Sequence, residues 1–345
     1  MAPGKNMLLR LLLSIFLILL STIAKAATYS PAIRDGGSRF LARSLGSACY
    51  SMDSLRRGLP CNPAYVAKEK SPRFDTDLLL GSNMEYLREA EALLNGNSDE
   101  ASVAKMFSRR EAVDGEISIE ASFQRPTWGV SVEPYRLVYV YQFENASLPM
   151  VDMIASEEQS IKAQLASFTS GNFYAGLQLR YTHVKYVGNY FSVVEAVAGD
   201  RDKLFEIHNQ DILYVEPGLL YAWEDTSWEP QISAMLSQWG VSDKKSEQYP
   251  IRPQGLLGAS VKPAVPLGLL EVGMQLQVHN DTENFQDAVR GAVTYQLGVL
   301  QGVLSASQYD QAAAFLATYK SFSTGLSYWS ERTNKAVFVQ FGVSL

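Results

Sequence analysis

The chain has 345 residues, a formal charge of -6, and 47% hydrophobic against only 19% charged residues. Its length suits one large or two ordinary domains, and its acidic balance argues against a nucleic-acid binder. Tyr is abundant (18) and no later stretch nears the ~18 uncharged apolar residues of a spanning helix, which points to an exported, aromatic-rich, non-helical chain.

Residues 1–26 read as a secretory signal peptide. Lys5 and Arg10 form the basic region, Leu11 to Leu20 the apolar core, and Ala24-Lys25-Ala26 an A-x-A cleavage site. The apolar run falls short of the ~20 residues a membrane anchor needs. With no Cys behind it, a lipoprotein anchor is disfavoured. The mature chain is expected to begin near Ala27, outside the cytoplasm.

Residues 27–73 carry recurrent Gly, Ser, Pro and Arg without a sustained period. Cys49 and Cys61 lie here. In an oxidising compartment they are expected to close a small loop worth about 2–3 kcal/mol, the alternative being two buried or free thiols. Residues 84–95 and 99–112 carry helix formers with i, i+4 apolar spacing, which predicts two short helices in an insertion at about 84–112.

From about residue 115, strand patterns follow one another. "EISIEASF" sets Ile117, Ile119, Ala121 and Phe123 against Glu116, Ser118, Glu120 and Ser122. In "NFYAGLQLRYTHVKYV", Phe173, Ala175, Leu177, Leu179 and Tyr181 oppose Tyr174, Gly176, Gln178, Arg180 and Thr182. "EVGMQLQVH" puts Val272, Met274, Leu276 and Val278 opposite Gly273, Gln275, Gln277 and His279. "AVTYQLGVLQGVL" reads as one strand, with Val293, Tyr295, Leu297 and Val299 opposite Thr294, Gln296, Gly298 and Leu300. "PTWG" and "VEPG" read as tight turns, and Pro217 assigns its position to a strand end or edge. "VSDKKSEQYPIRPQG" and "HNDTENFQDAVRG" read as long loops, and a short amphipathic helix is expected within "VEAVAGDRDKLFEIHNQ". The final "KAVFVQFGVSL" alternates again, with Phe341, Val343 and Leu345 on its apolar face. About 12 to 14 such segments can be counted, many near the ~9–11 residues of a tilted membrane strand.

The second face of these strands carries mostly Gly, Ser, Thr, Gln and Tyr. An open aqueous surface shows more charge, so a confined wet lumen fits better. Tyr and Trp cluster near segment ends (Trp128, Tyr181, Tyr186, Tyr190, Tyr221, Trp223, Trp228, Trp239, Tyr328, Trp329), as in the girdles of outer-membrane barrels. The fold class is therefore all-β: a transmembrane antiparallel β-barrel of about 14 strands, residues 74–345, with short helices in insertions. In a closed barrel the last strand pairs with the first, because lipid leaves no edge unpaired.

Leu45-Gly46-Ser47-Ala48, the polar Ser51 to Ser54, and Asn62-Pro63-Ala64 with Val66-Ala67 resemble the opening of the FadL/TodX-type outer-membrane family and its porV-like and TraF-like relatives. The usual Gly-Gly-Ala before the polar stretch is missing. Asn before Pro favours an Asx-type turn, and Ala64 and Ala67 permit tight packing. The resemblance implies that residues 27–73 form a hatch lodged in the lumen, which a Cys49–Cys61 bridge would rigidify. It also implies passive transport of hydrophobic small molecules. The alternatives are a porV-like or conjugation-associated scaffold for exported proteins, and a soluble exported β-sandwich.

No catalytic chemistry is legible. His183, His208 and His279 sit alone and read as loop or lumen residues, and Glu216 and Glu224 as solvated or lumenal charge. No nucleotide-binding or nucleophile motif appears. The expectation is a non-enzyme without cofactor in a Gram-negative outer membrane. Its partners would be outer-membrane lipid, the barrel assembly machinery reading the terminal strand, and a hydrophobic small-molecule ligand, but no nucleic acid.

Overall fold

The computed structural model describes residues 39–53, 57–81, 84–96, 108, 113–145, 149–198, 204–244, 249, 253–278, 288–308, 310–331 and 334–345. The signal peptide with Ala24 and Ala26, Ser54, most of the second expected helix, and His279 fall outside them.

The strands are β1 (Arg73–Gly81), β2 (Val113–Arg125), β3 (Trp128–Asn145), β4 (Pro149–Ser170), β5 (Phe173–Ser192), β6 (His208–Ala222), β7 (Gln231–Ser237) and β8 (Gly240–Ser242). They continue with β9 (Gln254–Val261), β10 (Leu269–Val278), β11 (Val289–Leu297), β12 (Leu300–Ser307), β13 (Asp310–Tyr319), β14 (Phe322–Glu331) and β15 (Asn334–Ser344). All pairs are antiparallel, sequence neighbours pair except that β8 joins β6 and β7 joins β9, and β1 pairs with β15 from Asp75↔Ser344 to Gly81↔Phe338. The sheet therefore closes on itself at the β1–β15 seam. β7 and β8 lie on the same side of β6 and share one place in the wall, so fifteen strands make a 14-strand barrel.

The two faces sort as the alternation requires. Outward positions are apolar and exposed, for example Leu165 (61%), Ile161 (58%), Met274 (58%) and Leu304 (64%). Inward positions hold Ser, Thr, Gln and buried charge. On β5 the outward run Phe173–Tyr181 is about nine residues, roughly 30 Å along the strand at ~3.3 Å per residue, which suffices for a tilted crossing. His183 and Lys185 follow it on the same face. His183 therefore lies on the outer wall, where Nδ1 meets Asp211 Oδ1 at 2.8 Å and Tyr181 donates to the same carboxylate at 2.7 Å. The lumenal or loop placement expected for it is corrected.

Strands β3, β4 and β5 continue past this polar rim, with 18, 22 and 20 residues. Their outward faces stay apolar there, yet lipid does not cover them. Helices α2 (Met84–Leu94) and α3 (Val193–Ala198) and Phe205 do, forming a second core outside the barrel with Leu137, Tyr139, Met153 and Val187. Both helices fall where the periodicity places them. α3 starts with a reciprocal cap in which Ser192 N–H and Oγ–H donate to Glu195 Oε2 at 2.7 and 2.8 Å and Glu195 N–H returns to Ser192 Oγ at 3.2 Å.

Three sequence expectations fail for local reasons. Gly298 takes φ +59°, so "AVTYQLGVLQGVL" is the hairpin β11–β12, with Leu297 opposite Leu300 on one face. "VEPG" is mid-strand in β6. Val215 N–H donates to Trp239 O at 2.8 Å, so residue 217 would supply the next donor to that neighbour, and proline has none. The wall answers with a bulge at Gln238–Trp239, between β7 and β8, which makes room for a central Pro217. Finally, Tyr186 and Trp329 belong to no girdle: both point inward and are buried. The inward face of β3 itself switches parity at Pro134, where the register slips against both β2 and β4.

Candidate functional site

Residues 39–53 and 57–72 cross the lumen at the end of the barrel that holds the tight turns and Leu345. Helix α1 (Arg39–Leu45) packs on β12 to β14, and a 3₁₀ turn at Pro63–Lys68 packs across the barrel on β4, β5 and β6. A 3₁₀ turn at Gly46–Tyr50 lies between them, and Cys49 and Cys61 are joined, with Cα atoms 5.8 Å apart.

Asn62 behaves as the Asx-type reading requires. Its φ of -98° and ψ of 120° are extended, and Oδ1 accepts from Ala64 N–H at 3.0 Å. The amide also reaches the wall, donating to Leu219 O at 3.3 Å. Asn62, Pro63 and Ala64 are all buried, in a notch made by Gly176 of β5 and Gly218 of β6, which are register partners. A Cβ on Gly218 would stand 2.1 Å from Asn62 Oδ1, and one on Gly176 2.5 Å from Ala64 N. The side chains of Phe341, Val343 and Leu345, by contrast, line the outer wall.

Arg43 ties α1 to β2. Its guanidinium donates to both oxygens of Asp114 at 2.9 and 3.0 Å and to Glu116 at 2.8 Å, and it lies 4.3 Å from the Phe338 ring centroid. Burial would lower its pKa, but the two carboxylates more than offset this and raise it. Glu116 also accepts from Arg136 Nε at 2.7 Å, and Arg136 Nη1 donates to Glu158 at 2.8 Å. These five groups form one buried network from the crossing segment through β2 and β3 to β4. Removing one member would strand the others without water, a cost of about 3–5 kcal/mol for a buried pair.

Beyond this charge belt, toward the long connections, the lumenal lining of β3 to β6 turns apolar. Val138, Val140, Ile154, Val184, Tyr186 and Ile212 are all buried there. Tyr249, from the connection between β8 and β9, sits among them. A separate groove of about 750 Å³ lies on the outer wall across the β1–β15 closure, lined by Leu78, Ile119, Phe322 and Phe341 among others. Its lining faces lipid, so it is no part of the lumenal site.

Glu216 and Glu224 are not paired. Glu216 is buried in the wall, where it accepts from Gln238 N–H of the bulge at 2.7 Å and from Arg180 at 3.4 Å. Glu224 accepts from Tyr174 at 2.9 Å in a turn. The His208 ring lies tilted beside Tyr186, with ring centroids 5.3 Å apart. Among the described residues no three His, Cys, Asp or Glu side chains converge as a metal site.

No protein family profile and no curated protein sequence matches the chain. Among solved structures, the TodX deltaS2S3 mutant monoaromatic hydrocarbon channel aligns over 90% of this chain and 98% of its own, at 9% identity and a TM-score of 0.50. The Pseudomonas putida toluene transporter TodX aligns over 94% and 98%, at 9% identity and a TM-score of 0.43. CdiB from Acinetobacter baumannii aligns over 80% of this chain at 8% identity and a TM-score of 0.36, and the chain spans only 60% of its length. The chain shares the closed barrel of the first, a likeness of fold.

Proposed function

We propose that this chain is a FadL-like barrel of a Gram-negative outer membrane, exported by a cleaved signal peptide and closed by a hatch at residues 27–73. Small hydrophobic molecules pass through it without an energy source. The observation that carries this reading is the apolar lining of the lumen beyond the charge belt. A water-filled pore gains nothing from buried Val138, Val140, Ile154 and Ile212, whereas a hydrophobic solute is drawn from water by such a surface. In this orientation the tight turns, the start of β1 and the end of β15 face the periplasm and the long connections face outward.

Cells that produce the protein should take up a panel of hydrophobic solutes (toluene, p-cresol, a medium-chain fatty acid) faster than cells without it. Uptake indistinguishable from the empty strain across the panel would overturn the transport reading. The scaffold reading draws on a different observation, the packed helices α2 and α3 outside the wall. It predicts that replacing these helices with short linkers abolishes surface display of an exported protein but leaves uptake unchanged.

A further inference from the structure

Tyr249 occupies the apolar end of the lumen as a bound molecule would. Its side chain is buried against the wall, and its ring meets Tyr186 edge to face, with centroids 5.2 Å apart. Its hydroxyl donates to Glu158 Oε1 at 2.7 Å and lies 3.3 Å from Ser156 Oγ. Burial first, and the Glu158 charge second, hold the phenol far above its ordinary pKa, so it stays protonated and donates. The acceptor is fixed beforehand, because Arg136 Nη1 holds the other Glu158 oxygen at 2.8 Å.

We propose that this niche is a binding site for small phenols, with Tyr249 as the resident occupant that such a ligand displaces. The inference deepens the transport reading and rests on it. The walls select a single ring, and two polar features select a phenol over a bare aromatic hydrocarbon. The walls are branched aliphatic side chains with the rings of Tyr186 and Tyr214, which fit a single ring. Glu158 Oε1 takes its short hydrogen bond from the Tyr249 hydroxyl, and a ring without a hydroxyl would leave that buried oxygen only the long one from Ser156 Oγ, at 3.4 Å. Thr182, the next inward position on β5 beside Val184, carries a buried hydroxyl with no hydrogen-bond partner among the described residues, a further polar contact for a substituted ring.

An internal occupant lowers the apparent affinity by the fraction of time it fills the niche. In detergent-purified full-length protein, p-cresol should therefore bind Tyr249→Ala about tenfold or more tightly than wild type. Adding Glu158→Gln should remove the gain, and toluene, which has no hydroxyl for Glu158, should bind Tyr249→Ala at least about tenfold more weakly than p-cresol. Equal p-cresol affinity in wild type and Tyr249→Ala, or toluene binding Tyr249→Ala as tightly as p-cresol, would overturn the proposal. A second measurement avoids truncation: 3-fluorotyrosine at position 249 should move from a buried to a solvent-like fluorine resonance as p-cresol, but not toluene, is titrated. A resonance that stays buried at saturating p-cresol counts against displacement. Binding is read without flux, so failure here leaves uptake data standing, and failed uptake with intact binding removes only the transport reading.

Discussion

A methyl group at Gly218 would land on the side chain that anchors the crossing segment, 2.1 Å from Asn62 Oδ1. Gly218→Ala must therefore push residues 62–64 off the wall, an overpacking cost of about 1–3 kcal/mol. A methyl group at Gly302, in β12, would meet nothing within 4 Å, so Gly302→Ala should be neutral or stabilising by about 0.4–1 kcal/mol. The midpoint of heat-modifiable gel migration reads both. Equal midpoints would mean that the segment does not bear on the wall at Asn62. The Asn62-Pro63-Ala64 turn was legible because its cause is local, and so was the pairing of Cys49 with Cys61. The partners of the turn were not. Arg43 and Asp114 are 71 residues apart and Tyr249 and Glu158 91, and alternation says which side chains enter a lumen but not which ones meet across it.

Along a strand, period-2 alternation carries the fold, and its sharpest consequence is a contrast between neighbours. Leu276 points to lipid and Gln277 to the lumen, where its amide donates to Gln254. Leu276→Arg should destabilise insertion by about 2–4 kcal/mol and Gln277→Arg far less. Equal tolerance in refolding titrations would remove the assignment of faces. Gln178, which also faces inward, is a poorer control because it is locked to Gln164 and Glu216 beside the crossing segment. Alternation misleads where backbone chemistry intervenes. The slip at Pro134 reverses the parity of β3, the bulge at Gln238 keeps Pro217 inside the wall, and Gly298 folds one apparent strand into two. It is also silent on what covers an outward apolar face. Lipid covers Leu165, but α2 covers Tyr139. Leu93→Ala should loosen that helix by about 2–5 kcal/mol and raise amide exchange in residues 84–94, while the heat-modifiable band of the barrel stays at wild-type strength. Loss of that band would make the outer core part of barrel stability itself.

For the molecule as a whole, closure depends on one seam. β15 is hydrogen-bonded to β1 on one side and β14 on the other, and beyond the last ladder pair Phe74 and Leu345 exchange backbone hydrogen bonds of 2.9 and 2.8 Å. Removing residues 341–345 would strip β1 of its partners from Phe74 to Leu78 and expose those backbone groups at membrane depth, where each unsatisfied group costs several kcal/mol. The loss is larger than the stability of most single domains, so the truncated chain should yield no heat-modifiable protein in the outer membrane. Leu345→Phe keeps the seam and adds apolar surface at an exposed interfacial position (73%), where an amphipathic or aromatic ring is favoured. That variant should assemble at least as well as wild type. The two changes separate the seam from the identity of the last side chain. If the truncated chain reached wild-type levels in the outer membrane, the β1–β15 pairing could not be what closes the barrel there.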